Sequence, residues 1–262
     1  MGVAISDFRA SGGRRRSAIG YANNSSKAEP VLELVSSAQE QGAPQIYPRE
    51  RSEVLSRVVN VIVAVVALVL MVPVMLVVAA AVALTSRGPI FYSQVRVGVD
   101  RRFRSKNTFD RRGFDYGGRP FTMYKFRTMR VDAEADGKAV WAQKKDPRTT
   151  SIGGFMRKTR LDELPQLWNV IRGDMNIVGP RPERPTIFAQ LREDIPLYAQ
   201  RQRVKPGITG WAQINQAYDS CLDDVRSKVR FDLEYVQRQG ILHDLQIMSM
   251  TVPVMIRRQK GW

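Results

Sequence analysis

Val58 to Leu84 reads VVNVIVAVVALVLMVPVMLVVAAAVAL, a run without a charge in which Asn60 is the only strongly polar residue. At ~1.5 Å per residue, a helix of that length is long enough for a ~30 Å hydrocarbon core. Pro73, near the middle, removes a backbone donor and predicts a kink. Arg51 and Arg57 precede the run; Arg87, Arg96, Arg101, Arg102 and Arg104 follow it. Positive charge on both flanks gives the positive-inside rule no direction to choose. Two topologies follow: a straight span, which the residues alone favour, or a kinked helix that enters and leaves by one face. The length of the segment and its distance from Met1 argue against a cleaved signal peptide.

Beyond it the period changes. Pro89 to Gly98 is strand-like, and Phe121 to Met129 alternates at period two across a polar, glycine-bearing loop. The two runs predict a hairpin in which Lys125 and Arg127 share one face and Tyr124 and Phe126 the other. Ile152 to Ile171 reads as helical, interrupted at Pro165. Val178-Gly179-Pro180-Arg181-Pro182 is too rich in Pro and Gly for regular structure. Thr186 to Ala199 and Asp223 to Arg238 read as amphipathic helices. Leu245 to Trp262 is apolar, rich in Met, and closes on Arg257, Arg258, Lys260 and Trp262. That suits an interfacial helix, with a buried core helix as the rival. Residues 1 to 50 show little periodicity and predict a disordered, basic, polar tail beside an anionic leaflet. Arg14-Arg15-Arg16 is not followed closely by an apolar stretch, which removes a twin-arginine export signal. The expected organisation is therefore a tail over 1–50, a membrane helix over 51–86 and a mostly helical α/β core over 87–262.

Charge narrows the partners. The 262 residues carry a formal net charge of +16, which calls for polyanions: nucleic acid, anionic lipid or phosphorylated substrates. A mean hydropathy of −0.28 does not suit a multi-pass membrane protein. Cys221 is the only cysteine, so an intrachain disulfide and the Cys-rich zinc sites are excluded. His243 is the only histidine and sits among apolar residues with no nucleophile beside it, which predicts a structural role. Carboxylates, lysines and arginines must then carry any chemistry.

The candidate chemistry lies in Arg157-Lys158-Thr159-Arg160-Leu161-Asp162-Glu163-Leu164-Pro165-Gln166. The three cations should keep both carboxylates ionised. Neighbours on a helix point about 100° apart, so the pair suits two different jobs. One carboxylate can attack phosphorus as a covalent nucleophile, and the other can hold a Mg²⁺ on a diphosphate. A solvated acidic pair in a helical first turn is the plainer account of the same two residues. Arg181 and Lys205 stand beside prolines and glycines, where stiff backbone can fix a cation against a phosphate. A solvated basic face toward anionic lipid competes with that reading.

Taken in order, six blocks carry a resemblance: Gly88-Pro89-Ile90-Phe91, Gln94-Val95-Arg96-Val97-Gly98, Tyr124-Lys125-Phe126-Arg127-Thr128-Met129, Leu161-Asp162-Glu163-Leu164-Pro165-Gln166, Gly179-Pro180-Arg181-Pro182 and Lys205-Pro206-Gly207-Ile208-Thr209-Gly210-Trp211. From about Ser52 onward the chain resembles the bacterial sugar transferases, the monotopic polyprenyl-phosphate phosphoglycosyl transferases, in their short form. The resemblance implies a re-entrant membrane helix broken at Pro73, with both ends in the cytoplasm, and a catalytic core on the cytoplasmic face of the bacterial inner membrane. It implies transfer of a sugar 1-phosphate from a UDP-sugar, expected to be a hexose, to undecaprenyl phosphate, as the first step of exopolysaccharide or O-antigen repeat-unit assembly. Asp162 matches the nucleophile that displaces UMP, and Glu163 the Mg²⁺ ligand. Lys125, Arg157 and Arg181 match cations that hold phosphate. Membrane lipid is an implied partner, nucleic acid is not, and a homo-oligomer stays open. One departure stands out: the family often places an acidic residue one turn after the basic residue that opens the membrane helix, and here Arg57 is followed by Asn60. Two rivals remain: a lipid-linked glycosyl transferase that moves the sugar without its phosphate, and a membrane-tethered nucleic-acid-binding protein suggested by charge.

Overall fold

The computed structural model describes residues 45–104, 115–133, 146–216 and 222–259. Helix α1 runs Glu53–Thr85, with the Ser52 side chain accepting from the Leu55 amide as its N-cap. It is one continuous helix through Pro73. The expected break is therefore absent from the hydrogen-bonded run, although a proline at this position cannot donate to the carbonyl four residues earlier. α1 buries a stripe: Ser56, Asn60 and Ala64 in its first half, Val78 and Val82 in its second. Val63, Ala67, Leu68, Val74 and Met75 beside it are half-buried, and the opposite face is exposed, including Val69, Leu70, Leu76 and Val77.

Strand β1 (Phe91–Val97) pairs antiparallel with β2 (Pro120–Phe126), Phe91 opposite Phe126 and Val97 opposite Pro120. The hairpin is the one its alternation predicts. Phe121 and Met123 enter the main core, while Phe126 enters a smaller cluster with Val78, Val82 and Met156. Arg127 does not point to solvent. It is buried, and its guanidinium donates to the carbonyls of Ser86 and Arg87 at the end of α1.

Helix α2 (Gly153–Thr159), a 3-10 turn (Leu161–Glu163) and α3 (Gln166–Arg172) follow. Strand β3 (Asn176–Val178) pairs in parallel with β4 (Gly207–Thr209). The Pro- and Gly-rich segments around it predict irregular structure, and this small parallel sheet forms beside them instead. Its glycines explain the composition: a Cβ on Gly207 would stand 2.1 Å from the Gly179 nitrogen, and one on Gly210 2.3 Å from the Gly179 carbonyl oxygen. Between these strands α4 spans Pro185–Asp194 and a 3-10 segment Tyr198–Arg203. The helix expected to reach Ala199 stops at Asp194 because Ile195, preceding Pro196, is forced into an extended conformation.

Three helices close the chain: α5 (Trp211–Asn215), α6 (Leu222–Arg238) and α7 (Ile241–Gln259). α7 buries Ile247 yet exposes Leu242 and Val252, so it is part core helix and part surface helix. His243 packs beside the rings of Trp211 and Tyr235. The described residues are mostly helical with two small sheets, and α1 is long and apolar enough to cross a membrane. Most of the expected tail, residues 1–44, and residues 105–114 of the basic loop lie outside the described residues. The last stretch of that tail is docked: the Ile46 amide donates to Gln200, and the Arg49 amide to the Val236 carbonyl.

Candidate active site

Arg160 ends α2 in the left-handed region, at φ 60°. For a residue with a Cβ this costs about 1–2 kcal/mol. The reversal starts the 3-10 turn that brings Asp162 and Glu163 inward, where each is nearly buried at 6% and 5% exposure. Pro165 then opens α3, where its missing N–H is not needed.

The two carboxylates meet different surroundings. Glu163 Oε1 accepts from Arg181 at 2.7 Å, Lys125 at 3.1 Å and Arg160 at 3.3 Å. Burial alone would raise its pKa, but Arg181, Lys125 and Arg160 hold it well below the usual carboxylate range. Asp162 Oδ1 is buried and has no hydrogen-bond partner among the described residues. Burial raises the Asp162 pKa; Lys125 opposes this, and the charge on Glu163 adds to it. The cations alone predict two ionised carboxylates; in the fold their surroundings move the two pKa values in opposite directions. Lys125 in turn is lowered by burial, with Glu163 opposing and Arg181 reinforcing.

Each cation is held by its own scaffold. Lys125 sits on β2, which Asn169 of α3 fastens: its Oδ1 accepts from the Tyr124 amide and its Nδ2 donates to the Thr122 carbonyl at 2.7 Å. Arg181 lies on the turn after β3. Arg201, fully buried and paired with Asp232 at 2.7 Å, donates to the Arg181 carbonyl. Arg96 donates to the Pro182 carbonyl. Glu183 sits between Lys228, Arg201 and Arg96; despite its burial they bring its pKa down to about 2. Asn169, Glu183 and Asp232 went unnoticed in the sequence. Their partners are tens of residues away along the chain, and only the fold joins them.

Arg157 and Arg160 line a cavity of ≈240 Å³ with Glu163. Its other wall is apolar, formed by Leu167, Ile208, Ile214 and Val254. Asp162, Glu163, Lys125 and Arg181 are thus gathered, and Arg157 borders the same space. Lys205 is not with them. It lines a separate cavity beside Arg51, Arg57 and Arg101. Among the described residues no group of three or more acidic, His or Cys side chains forms a metal cage. Mg²⁺ does not need one: it takes one or two carboxylates, keeps waters and completes its shell with substrate phosphates. The unpartnered oxygen is that of Asp162, and Glu163 Oε1 already accepts from three cations, so Mg²⁺ held by Glu163 would meet its other oxygen.

The model of a family described as bacterial sugar transferase matches residues 51–258. A UDP-glucose:undecaprenyl-phosphate glucose-1-phosphate transferase of Escherichia coli (strain K12) is 39% identical over 203 residues, covering 77% of this chain and 40% of that protein. A UDP-N-acetylgalactosamine-undecaprenyl-phosphate N-acetylgalactosaminephosphotransferase of Aeromonas hydrophila is 38% identical over 198 residues, 76% of this chain and 43% of its own length. A UDP-glucose:undecaprenyl-phosphate glucose-1-phosphate transferase of Caulobacter vibrioides is 35% identical over 217 residues, covering 82% of this chain and 74% of that protein. The chain thus spans about two fifths of the first two relatives and about three quarters of the third.

Proposed function

This chain belongs to the bacterial sugar transferase family, and on that premise we propose that it moves a sugar 1-phosphate from a UDP-hexose to undecaprenyl phosphate at the cytoplasmic face of the inner membrane. The observation that carries this reading is the buried, unpartnered Oδ1 of Asp162 beside a carboxylate neutralised by three cations. A carboxylate oxygen without hydrogen bonds is a better nucleophile than a solvated one, because no donor has to be released before it attacks. The names of the relatives support the substrate class, since they specify glucose and N-acetylgalactosamine, both hexoses, on UDP with undecaprenyl phosphate as acceptor.

The first step is attack by an Asp162 oxygen on the β-phosphorus of the donor. The new O–P bond forms as the bond to the α-phosphate oxygen breaks, and UMP leaves with that electron pair. In the second step a phosphate oxygen of the acceptor lipid attacks the aspartyl phosphosugar, and Asp162 is regenerated as carboxylate. Lys125 and Arg181, already within reach of the pair, draw in the phosphates and balance charge on the leaving group. Arg157 binds phosphate from the cavity rim. Glu163 would hold Mg²⁺, which lowers the charge of the diphosphate when bound. The apolar wall toward α7 suits the prenyl end of the acceptor.

We also propose that α1 is re-entrant. Its first half packs on α3 and β3 of the main core, and its second half packs on Phe126 and Met156 of the smaller cluster beside it. A helix with both ends on one body keeps both ends on one side of the bilayer. Pro73 removes one hydrogen bond from the middle of the helix, which lowers the cost of bending it in the bilayer.

Donor incubated with the protein in the absence of acceptor should leave a phosphosugar adduct, read by intact mass, with UMP released. Asp162→Asn should form none. Release of UDP, or an adduct on the variant, would overturn the covalent reading.

A further inference from the structure

At the foot of α1 lies a second cavity, of ≈70 Å³, none of whose lining residues borders the carboxylate site. A water occupies about 10–15 Å³ on this scale, so several waters or one phosphate group fit. Its charged lining is one-sided: Arg51, Arg57, Arg101, Arg203 and Lys205 against Glu53 alone. Most of these cations are engaged. Arg51 pairs with Asp244 at 2.9 Å, Arg57 donates to the carbonyls of Val170 and Ile171, and Arg101 reaches Glu53 at 3.7 Å. Arg203 donates to the Ile46 carbonyl. Lys205 is the exception, a half-buried ammonium with no hydrogen bond or ion pair among the described residues. Burial, together with the nearby Arg57 and Arg101, lowers its pKa, and Glu53 only partly offsets this. A lysine crowded by like charge gains when an anion arrives.

We propose that this cavity is an anion site, separate from the Asp162–Glu163 site, which takes the phosphate of an anionic phospholipid. The choice of lipid over free phosphate rests on what adjoins the cavity. Glu53 and Ser56 line it, and Val54, Leu55 and Val58 on the same two turns of α1 are exposed at 75%, 51% and 46%. A lipid covers those side chains with acyl chain while its phosphate meets Lys205. Free phosphate uses the cations and leaves the apolar surface in water. The site anchors α1 at the interface, and it does not depend on which reaction the carboxylates perform.

The test uses the full chain in nanodiscs of equal phosphatidylcholine and phosphatidylglycerol, released for native mass spectrometry. Wild type should retain phosphatidylglycerol in preference to phosphatidylcholine. Lys205→Gln should lower the retained phosphatidylglycerol about tenfold, the scale of one charge-assisted bond, and Lys205→Arg should restore it. Arg226→Gln, on the exposed face of α6, removes the same charge elsewhere and should change nothing. If Lys205→Gln lacks a cooperative thermal transition, Arg101→Gln replaces it, since Arg101 is exposed and its loss leaves the core intact. Its expected effect is a loss of about threefold in retention. Equal retention of the two lipids, or equal behaviour of Lys205→Gln and Arg226→Gln, overturns the proposal. Displacement of phosphatidylglycerol from wild type by low-millimolar inorganic phosphate overturns it as well, because the occupant would then be the free ion.

Discussion

Along α1 the polar groups sit at the two ends and the apolar surface faces outward; at Asp162–Glu163 the charges lie inside and the surrounding scaffold faces inward to hold them. Arg57 and Asn60 fasten the first end of α1 to α3 and β3, and Arg127 clamps the carbonyls of Ser86 and Arg87 at the other. Between them one face packs on the core through Val63, Ala67, Leu68 and Val74, while Val69, Leu70, Leu76 and Val77 on the other are mostly exposed. At the carboxylate site the reverse holds: three cations converge on one oxygen of Glu163, and a neighbouring oxygen of Asp162 is left with nothing. The difference shows what each region needs from outside the chain. On the proposed reading, a bilayer covers the exposed face of the helix and a reactant meets the open oxygen of the carboxylate pair.

The largest effect should come from removing that oxygen's charge. Asp162→Asn keeps the size of the side chain, and turnover should fall by on the order of 10⁴ or more, as for other covalent nucleophiles. The pH profile sharpens the contrast between neighbours. Burial raises the Asp162 pKa, so the proposed nucleophile is lost by protonation at a higher pH than an ordinary aspartate, which titrates near ~3.9. The acid limb of the adduct-forming rate should lie above that value. Glu163 is depressed, so the stability it contributes is present above its unfolded pKa and is lost only as pH falls through its low folded pKa. Activity should therefore fail on acidification before the fold does. Coincident loss of both would deny that the pair is divided.

The proposed membrane path of α1 predicts an all-or-none labelling pattern. Cysteines at Glu50 and Arg87, in a Cys221→Ser background, should both react with an impermeant maleimide from the cytoplasmic side. Reaction of the Arg87 position only from the periplasmic side would make α1 a straight span.

A smaller loss, about 10²–10³ in turnover, should follow Glu163→Gln, the size seen when one preorganised electrostatic group is removed. The neutral amide keeps the shape but leaves Arg181, Lys125 and Arg160 without their shared anion. EDTA should suppress UMP release if Glu163 holds Mg²⁺, and full activity in EDTA would remove the metal from this site.

The sequence is legible where a pattern is local. Alternation gives the β1–β2 hairpin, helical period gives α6, and an uncharged run gives α1. It is less legible where breakers decide: α4 stops at Pro196, and the three-residue strands β3 and β4 are hidden among prolines and glycines whose purpose is mutual close approach. Asp162 and Glu163 stand out only in company, because two adjacent acids are common and the six blocks in order are not. That Lys205 would leave them for a cavity beside Arg51 and Arg57 could not be read, since those partners lie about 150 residues earlier in the chain.

Asn60 is the most instructive of these positions, and it supports the smallest prediction. In the sequence it is a lone polar residue in an apolar run, standing where the family often has an acid. In the fold its Oδ1 accepts from the Ile177 amide at 2.6 Å and its Nδ2 donates to the Ser56 carbonyl, at 2% exposure. Arg57 needs no acidic partner there, because its guanidinium is taken by the carbonyls of Val170 and Ile171. Asn60→Leu would leave the Ile177 amide buried without an acceptor, at a cost of about 1–3 kcal/mol. For a protein of this size that lowers the thermal midpoint by a few degrees, about 2–4 °C for each kcal/mol. Val69→Leu, in the exposed middle of the same helix, should leave the midpoint unchanged. Equal shifts for the two would mean that α1 is held uniformly around its surface, and the distinction between its packed face and its exposed face would fall.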